Sequence, residues 1–451
     1  SSVRAMRWNP SSRTDMSNAS STPRSLCAAT IILLNISAHA QQYEQAIDLV
    51  TVLELAGARN LTVQEQRALQ HAAEADLAKA SEWWLPELNV GTSIHALNGT
   101  AMNSDGRFFT DVDRQNFSAG GGVLASWDFR NGPADVKAAR LRGAAQELTG
   151  KQNRNEALLV VVQAYYALAT AEAEARAIER LALLADSVAM QLAVLVDLGS
   201  AYTSDLLLAR SNLTQPRIRV QRSMSDRAVA AARLAALLDL DPATRFTITE
   251  TVLAPIELPG MDQTTVLTDS IQLLRPDLQA MRLELDALHA ERRRTTTGLL
   301  LPQLRVGAGY SAFGDVFQPL WPTGEVNGAL VWRIPLGRIF QAGDLKQADA
   351  RIELQQFSLR KVVARASAEV EAARQEVAIA RERLELARAG SSDAEEAFAQ
   401  TMERQRLGLV RPLETLQAQE AAAEMVVERI RATAELNVAQ YRLKVAMGGE
   451  L

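Results

Sequence analysis

Leu301-Pro302-Gln303-Leu304-Arg305-Val306-Gly307 repeats Leu85-Pro86-Glu87-Leu88-Asn89-Val90-Gly91 with two substitutions, 216 positions apart. Working outward, Trp127 answers to Trp332 at an offset of 205. Lys137 and Lys346, Leu198-Gly199 and Leu407-Gly408, and Ala209 and Ala418 share a constant offset of 209. A constant offset over such a span means two ungapped copies of one long unit. The drop from 216 to 205 places a shorter loop in the second copy, between residues 313 and 325. The repeat far exceeds the roughly 20–50 residues of solenoid units, so it reads as a duplicated domain. The expected organisation is a first repeat over 41–240, a proline-bearing linker over 241–260 and a second repeat over 261–451.

Four segments alternate with period two: about 85–97 and 117–130 in the first copy, about 301–313 and 325–335 in the second. Leu88, Val90, Ile94 and Ala96 stand against Glu87, Asn89, Ser93 and His95. Val326, Leu330, Trp332 and Ile334 stand against Glu325, Asn327 and Arg333. Alternation predicts strands with one apolar and one polar face. Their length, about 10–13 residues, suits a tilted membrane-crossing strand; a half-buried soluble sheet has the same pattern. Tryptophan position favours the membrane. Trp83, Trp84, Trp127 and Trp332 all fall at strand ends that adjoin helices, as in an interfacial girdle. Residues 98–116 and 314–324 read as loops at the other end. Four strands cannot enclose an aqueous lumen, so a lipid-facing reading requires several chains to share one barrel, twelve strands for three copies.

Val363, Ala366, Val370, Ala373, Val377, Ala380, Leu384 and Ala387 keep strict 3-4 spacing, a coiled-coil seam with small residues at alternate positions. The first copy carries nearly the same seam from Arg154 to Ile178. Long helices are predicted from Pro133 to about Leu198 and from about Ser204 to Leu240, and again over 343–447 with a break at Gly408 to Pro412. Gly199 suits a helix end and Pro412 a helix start. Asp205 and Glu414 occupy matched positions near the start of each return helix, where negative charge is favoured. The prediction is two antiparallel α-hairpins about 100 Å long.

Composition agrees with long helices: Gly (24) and Pro (14) are scarce. A formal charge of -5 lacks the basic footprint of a nucleic-acid binder. Arg24, the apolar run Leu26–Ile36 and Ala38-His39-Ala40 mark a secretory signal peptide, with cleavage expected after Ala40. A buried N-terminal helix is the alternative. Cys27, the sole cysteine, falls inside this leader, so the mature chain would hold no disulfide.

No H-E-x-x-H, phosphate-binding loop or G-x-S-x-G occurs, and the histidines are dispersed. We therefore expect no enzyme activity, catalytic residue, metal site or cofactor. Arg292-Arg293-Arg294 reads as a solvated charge run or as a contact for inner-leaflet phosphates.

The duplicated helix, strand, strand and long hairpin, together with Arg275-Pro276-Asp277-Leu278, Leu301-Pro302-Gln303-Leu304, Arg406-Leu407-Gly408-Leu409 and Leu413-Glu414-Thr415-Leu416-Gln417-Ala418, resembles the TolC family of outer-membrane efflux proteins. The resemblance covers Gln41 to the C-terminus. It implies a homotrimer: a small twelve-stranded membrane β-barrel, four strands per chain, above a periplasmic coiled-coil tunnel. It also implies outer-membrane lipid contact and docking to a periplasmic adaptor (membrane fusion protein) and an inner-membrane transporter. Leu198, Gly199, Leu407 and Gly408 would be the tip contacts for the adaptor. Asp205 and Glu414 would be the tunnel-mouth acids; Gln417 stands where some members carry a further acid. Trp83, Trp84, Trp127 and Trp332 would be the interface aromatics. The implied function is a passive exit duct for efflux or type I secretion, opened at the periplasmic helical tips. A soluble periplasmic coiled-coil adaptor is the alternative.

Overall fold

A computed structural model describes residues 44–102, 105–199, 202–249, 253–258, 275–315, 319–333, 342–407, 409–410 and 412–451. The leader and the expected cleavage after Ala40 lie outside them. Chain order is β1 (Glu44–Ile47), α1 (Leu49–Arg59), α2 (Leu61–Ser81), β2 (Glu87–Met102), β3 (Phe108–Asp128), α3 (Gly132–Asp197), α4 (Thr203–Leu237), β4 (Arg245–Ile248), α5 (Pro276–Arg292), β5 (Gln303–Asp315), β6 (Trp321–Val331), α6 (Gly343–Arg406) and α7 (Pro412–Ala446).

Two helical hairpins dominate: α3 with α4, and α6 with α7. α4 and α7 are each 35 residues long and start and end 209 positions apart. α3 and α6 run 66 and 64 residues and also end 209 apart. In the second hairpin the predicted seam is real: Ala366, Val370, Ala373, Val377, Ala380, Leu384 and Ala387 are buried. All of these but Ala366 pack in one cluster with Ala432, Leu436, Ala439 and Leu443 of α7, which keep the same 3-4 spacing. Small residues let the axes approach: a Cβ on Gly390 would lie 2.6 Å from Cε of Met425.

The corresponding seam in α3 departs from expectation. Of its eight positions only Val161, Ala164 and Leu168 are buried. They join Leu158, Val162, Tyr165, Tyr166 and Ala169 in a wider core with Ile47, Val52, Ala56, Leu234, Leu238, Phe246 and Ile248. Here α3 is covered on more than one side, by α1, α2, α4 and α5 as well as α7. A helix packed on several faces needs a broader apolar arc than a two-helix seam.

The expected linker also holds structure. β4 lies in it and pairs in parallel with β1, Ile47 opposite Ile248. Asp48 caps α1 by accepting from the Thr51 N–H at 2.8 Å, and hydrogen bonding from the Thr51 side chain and N–H holds its carboxyl below the usual range. Buried Asn60 caps α2 from Thr62 and Val63 and donates to the Leu237 carbonyl at 2.8 Å, tying α2 to the end of α4. Past β4, residues 253–258 run extended along α7. Asn437 bonds Ala254 O and Ile256 N, each at 2.9 Å, and Gln440 bonds Ile256 O at 2.6 Å and Leu258 N at 3.0 Å.

The strands β2-β3-β5-β6 form one antiparallel sheet. β2 and β3 continue through much of the segment expected to be loop, to Met102 and from Phe108, with a register shift between Gly99 and Ala101. β5 and β6 likewise reach Asp315 and start at Trp321. No described helix is long and apolar enough to cross a membrane.

Candidate functional site

The register of the sheet decides what its faces can do. Val123 stands opposite Leu88 on one side and Ala308 on the other, and Ala308 stands opposite Val326. Paired residues share a face. The four alternations predicted separately therefore converge on one side. That side carries Leu88, Val90, Ile94, Phe117, Val123, Trp127, Leu304, Val306, Tyr310, Val326 and Leu330, with Thr92, Asn98, Asp113 and Gln115 its polar exceptions. Much of this face is bare within one chain: Val90 is 80% exposed and Val326 82%. So large an apolar patch demands a partner, lipid or protein.

The opposite face carries Asn89, Ser93, His95, Asn116, Ser118, Ser126, Gln303, Arg305, Ser311, Glu325 and Asn327. Leu97, Val112, Leu124, Phe313, Trp321, Ala329 and Val331 are its apolar exceptions. Its polar groups serve one another: Ser93 and Ser118 hydroxyls meet at 2.8 Å, and Gln303 donates to Ser126 at 3.1 Å. This side is also the tight one. A Cβ on Gly120 would lie 2.4 Å from the Tyr310 carbonyl oxygen, and one on Gly307 2.4 Å from Oδ1 of Asn327. Gly120 and Gly307 leave room where neighbouring strands crowd.

The aromatics gather where strands meet helices. Trp127 donates its indole N–H to Trp84 O at 2.8 Å. Trp83 packs edge-on against Phe129, centroids 5.9 Å apart. Trp332 follows the last residue of β6 and is half exposed. Trp84 is exposed on the same scale.

Below the polar face, Asp128, Arg130, Glu291, Arg294, Gln303, Arg333, Asp344 and Arg351 line a cleft of about 610 Å³. Two of the three arginines at 292–294 are spoken for by protein carboxylates: Arg292 pairs with Asp349 at 2.5 Å and Arg294 with Asp135. Burial pushes the Asp135 carboxyl up against the opposing pull of Arg294.

At the other end of the helices, α3 terminates through Leu198 and Gly199, whose φ of +73° is the left-handed conformation glycine tolerates. α6 terminates at Leu407. Leu198 is 71% exposed and Leu407 65%. Sequence reading missed two companions, Tyr202 and Leu409, exposed 79% and 72%. They escape a repeat-based search because they do not correspond in the 209-residue register. Gly408 lies outside the described residues. Asp205 sits in the first turn of α4, and exposed Glu414 in that of α7. Above the tips the hairpins are bridged by Arg219 with Glu420 at 3.2 Å and Glu424 at 3.7 Å, and by Arg431 with Glu174 at 2.6 Å. Among the described residues no group of three or more His, Cys, Asp or Glu could hold a metal ion.

Residues 267–449 match the family of outer membrane efflux proteins. No curated protein matches the chain. Among solved structures, the CmeC outer membrane channel of Campylobacter jejuni is similar with a TM-score of 0.74 at 17% identity, covering 89% of this chain and 85% of that one. The open state of the Neisseria gonorrhoeae MtrE channel gives 0.71 at 16%, covering 89% of each. The outer membrane protein VceC of Vibrio cholerae gives 0.70 at 17%, covering 89% and 96%.

The fold is thus that of the TolC-type outer-membrane channels, mainly α with a small share of a β-barrel. The family match lies in residues 267–449, and the channel fold extends across the described chain. The matched family is one of efflux proteins of the outer membrane.

Proposed function

We propose that this chain is the exit duct of a tripartite efflux or type I secretion system, carrying substrates passively from an inner-membrane transporter and periplasmic adaptor to the exterior. The observation that carries the reading is the convergence of four alternating strands on one bare apolar face, with a polar face behind it. Among the described residues of one chain, β2 and β6 each have an unpaired edge. Open sheet edges are not tolerated in hydrocarbon, so β6 of one copy pairs with β2 of the next. Three copies close a twelve-stranded barrel, lipid outside and water inside. α3, at about 1.5 Å per residue, carries the tunnel roughly 100 Å into the periplasm. Residues 41–240 and 261–451 are two copies of one structural unit, and the signal peptide is cleaved after Ala40.

Leu198, Gly199, Leu407 and Gly408, joined by Tyr202 and Leu409, form the docking tips for the adaptor. Asp205 and Glu414 ring the mouth and favour cations. Opening separates the hairpins at the tips. Trp83, Trp84, Trp127 and Trp332 sit at the periplasmic interface of the membrane.

Purified protein in planar bilayers tests this. We expect an oligomer of three chains with ohmic conductance, recovered from outer membranes. A monomer recovered from the soluble fraction and silent in bilayers would instead favour a periplasmic coiled-coil adaptor.

A further inference from the structure

We propose that Lys137 and Arg140 of α3, with Trp83 and Leu141, form a site for the phosphate of an anionic phospholipid in the periplasm-facing leaflet. The proposal rests on the duct reading above.

Side by side on one face of α3 lie Pro133, Val136, Lys137, Arg140 and Leu141, which with Trp83 line a shallow cavity of about 400 Å³. This cavity adjoins the aromatics where the sheet meets the helices: Trp83 packs on Phe129, in the turn that follows β3, at 5.9 Å. Trp83 is held there: a Cβ on Gly132 would fall 2.3 Å from its ring. The cleft beneath the polar face lies apart, lined by a separate set of residues.

The two cations are singled out from their neighbours. Arg142 pairs with Glu284 and Glu291, and Arg130 donates to Arg294 O. The Lys137 and Arg140 side chains are exposed and form no ion pair or hydrogen bond among the described residues. Glu82, the acid adjoining Trp83 in the chain, is outside the lining.

Height and direction suit a headgroup. Lys137 and Arg140 lie about 8 and 12 Å along the axis from the start of α3. Side chains on a helix lean toward its N-terminus, which here is the sheet end. Long basic side chains extend further along apolar surface while keeping the charge in the polar layer. That layer is roughly 5–8 Å thick on each side of the hydrocarbon. The apolar floor of Trp83, Val136 and Leu141 then receives the first methylenes of the acyl chain. Charge complementarity and continuity with the lipid-facing sheet point to an anionic lipid rather than a second copy of the chain.

The test uses the purified oligomer in detergent with added phosphatidylglycerol, reading retained lipid by native mass spectrometry and thermal stability in parallel. Each cation near an anionic surface strengthens binding severalfold. Lys137→Gln/Arg140→Gln should therefore bind phosphatidylglycerol roughly 30-fold more weakly. Lys137→Arg should retain binding, and inorganic phosphate should not displace the lipid. An unchanged lipid dependence in the double variant overturns the proposal. So does displacement by inorganic phosphate, which would mark a free-anion site, or dissociation of the lipid-free variant, which would mark a contact between copies. Conductance is measured on the same preparations. Channels with unaltered lipid dependence defeat this site alone, whereas silence in every preparation defeats the duct reading and this site with it.

Discussion

The indole nitrogen of Trp127 lies 2.8 Å from the Trp84 carbonyl oxygen, joining the end of β3 to the turn that feeds β2. The bond holds two interface aromatics together without relying on either ring's packing. Trp127→Phe keeps the apolar contact and removes the donor. We expect a loss of about 1 kcal/mol, seen as an earlier thermal transition of the oligomer. A transition unmoved by the change would show that the bond does not hold this junction.

Arg275 is buried at the head of α5, bonding Asp277 through two nitrogens at 3.1 and 2.7 Å, Glu369 at 2.9 Å and Ala446 O at 3.3 Å. One guanidinium thus ties α5 to α6 and to the end of α7. The bonds to Asp277 and Glu369 outweigh burial and raise its pKa, so it stays charged. Arg275→Ala should cost about 3 kcal/mol, the low end for a broken buried pair because Glu369 keeps some solvent. Chemical denaturation of the detergent-solubilised protein reads it; a cost below 1 kcal/mol contradicts this role.

Gly120→Val should prevent assembly of the heat-resistant oligomer, since the new side chain meets Tyr310 and Ser311 backbone. Its cross-strand partner Gly91 has nothing within 4 Å of an added Cβ, so Gly91→Ala should assemble normally. Band shifts on unheated gels separate the two outcomes.

If the acids at the helix starts form the mouth, Glu414→Gln with Asp205→Asn should lose cation preference in bilayer recordings. Unchanged reversal potentials would reduce them to helix-start charges.

Arg219→Glu should raise channel conductance or open time, because it turns two bridges between the hairpins into repulsions. Both bridges are exposed, so stability should move by less than about 1 kcal/mol. A large loss of stability with unchanged conductance would run against this assignment.

The apolar parity of all four strands, the left-handed Gly199 and the α6 seam were readable because each follows from a local constraint. What escaped has a physical cause too. Thr110-Asp111-Val112-Asp113-Arg114 looks like loop, yet it is strand in β3. It pairs only with β2, above the end of β5, where neither face need be apolar. The β1–β4 pairing joins residues about 200 apart and four residues long, too short to show a period. The shared seam predicted for α3 failed because its neighbours, not its own sequence, set how many faces it must bury.

Asn437 and Gln440 hold residues 253–258 by reading alternate backbone groups, as an adjoining strand would, although they sit on a helix. Such a grip ignores what the held residues are. The connector can therefore drift in sequence while staying seated, and the waist of the molecule can acquire new surface chemistry without renegotiating its attachment. The constraint has moved to two amides on α7, where either substitution would unseat a segment nearly two hundred residues away in the chain.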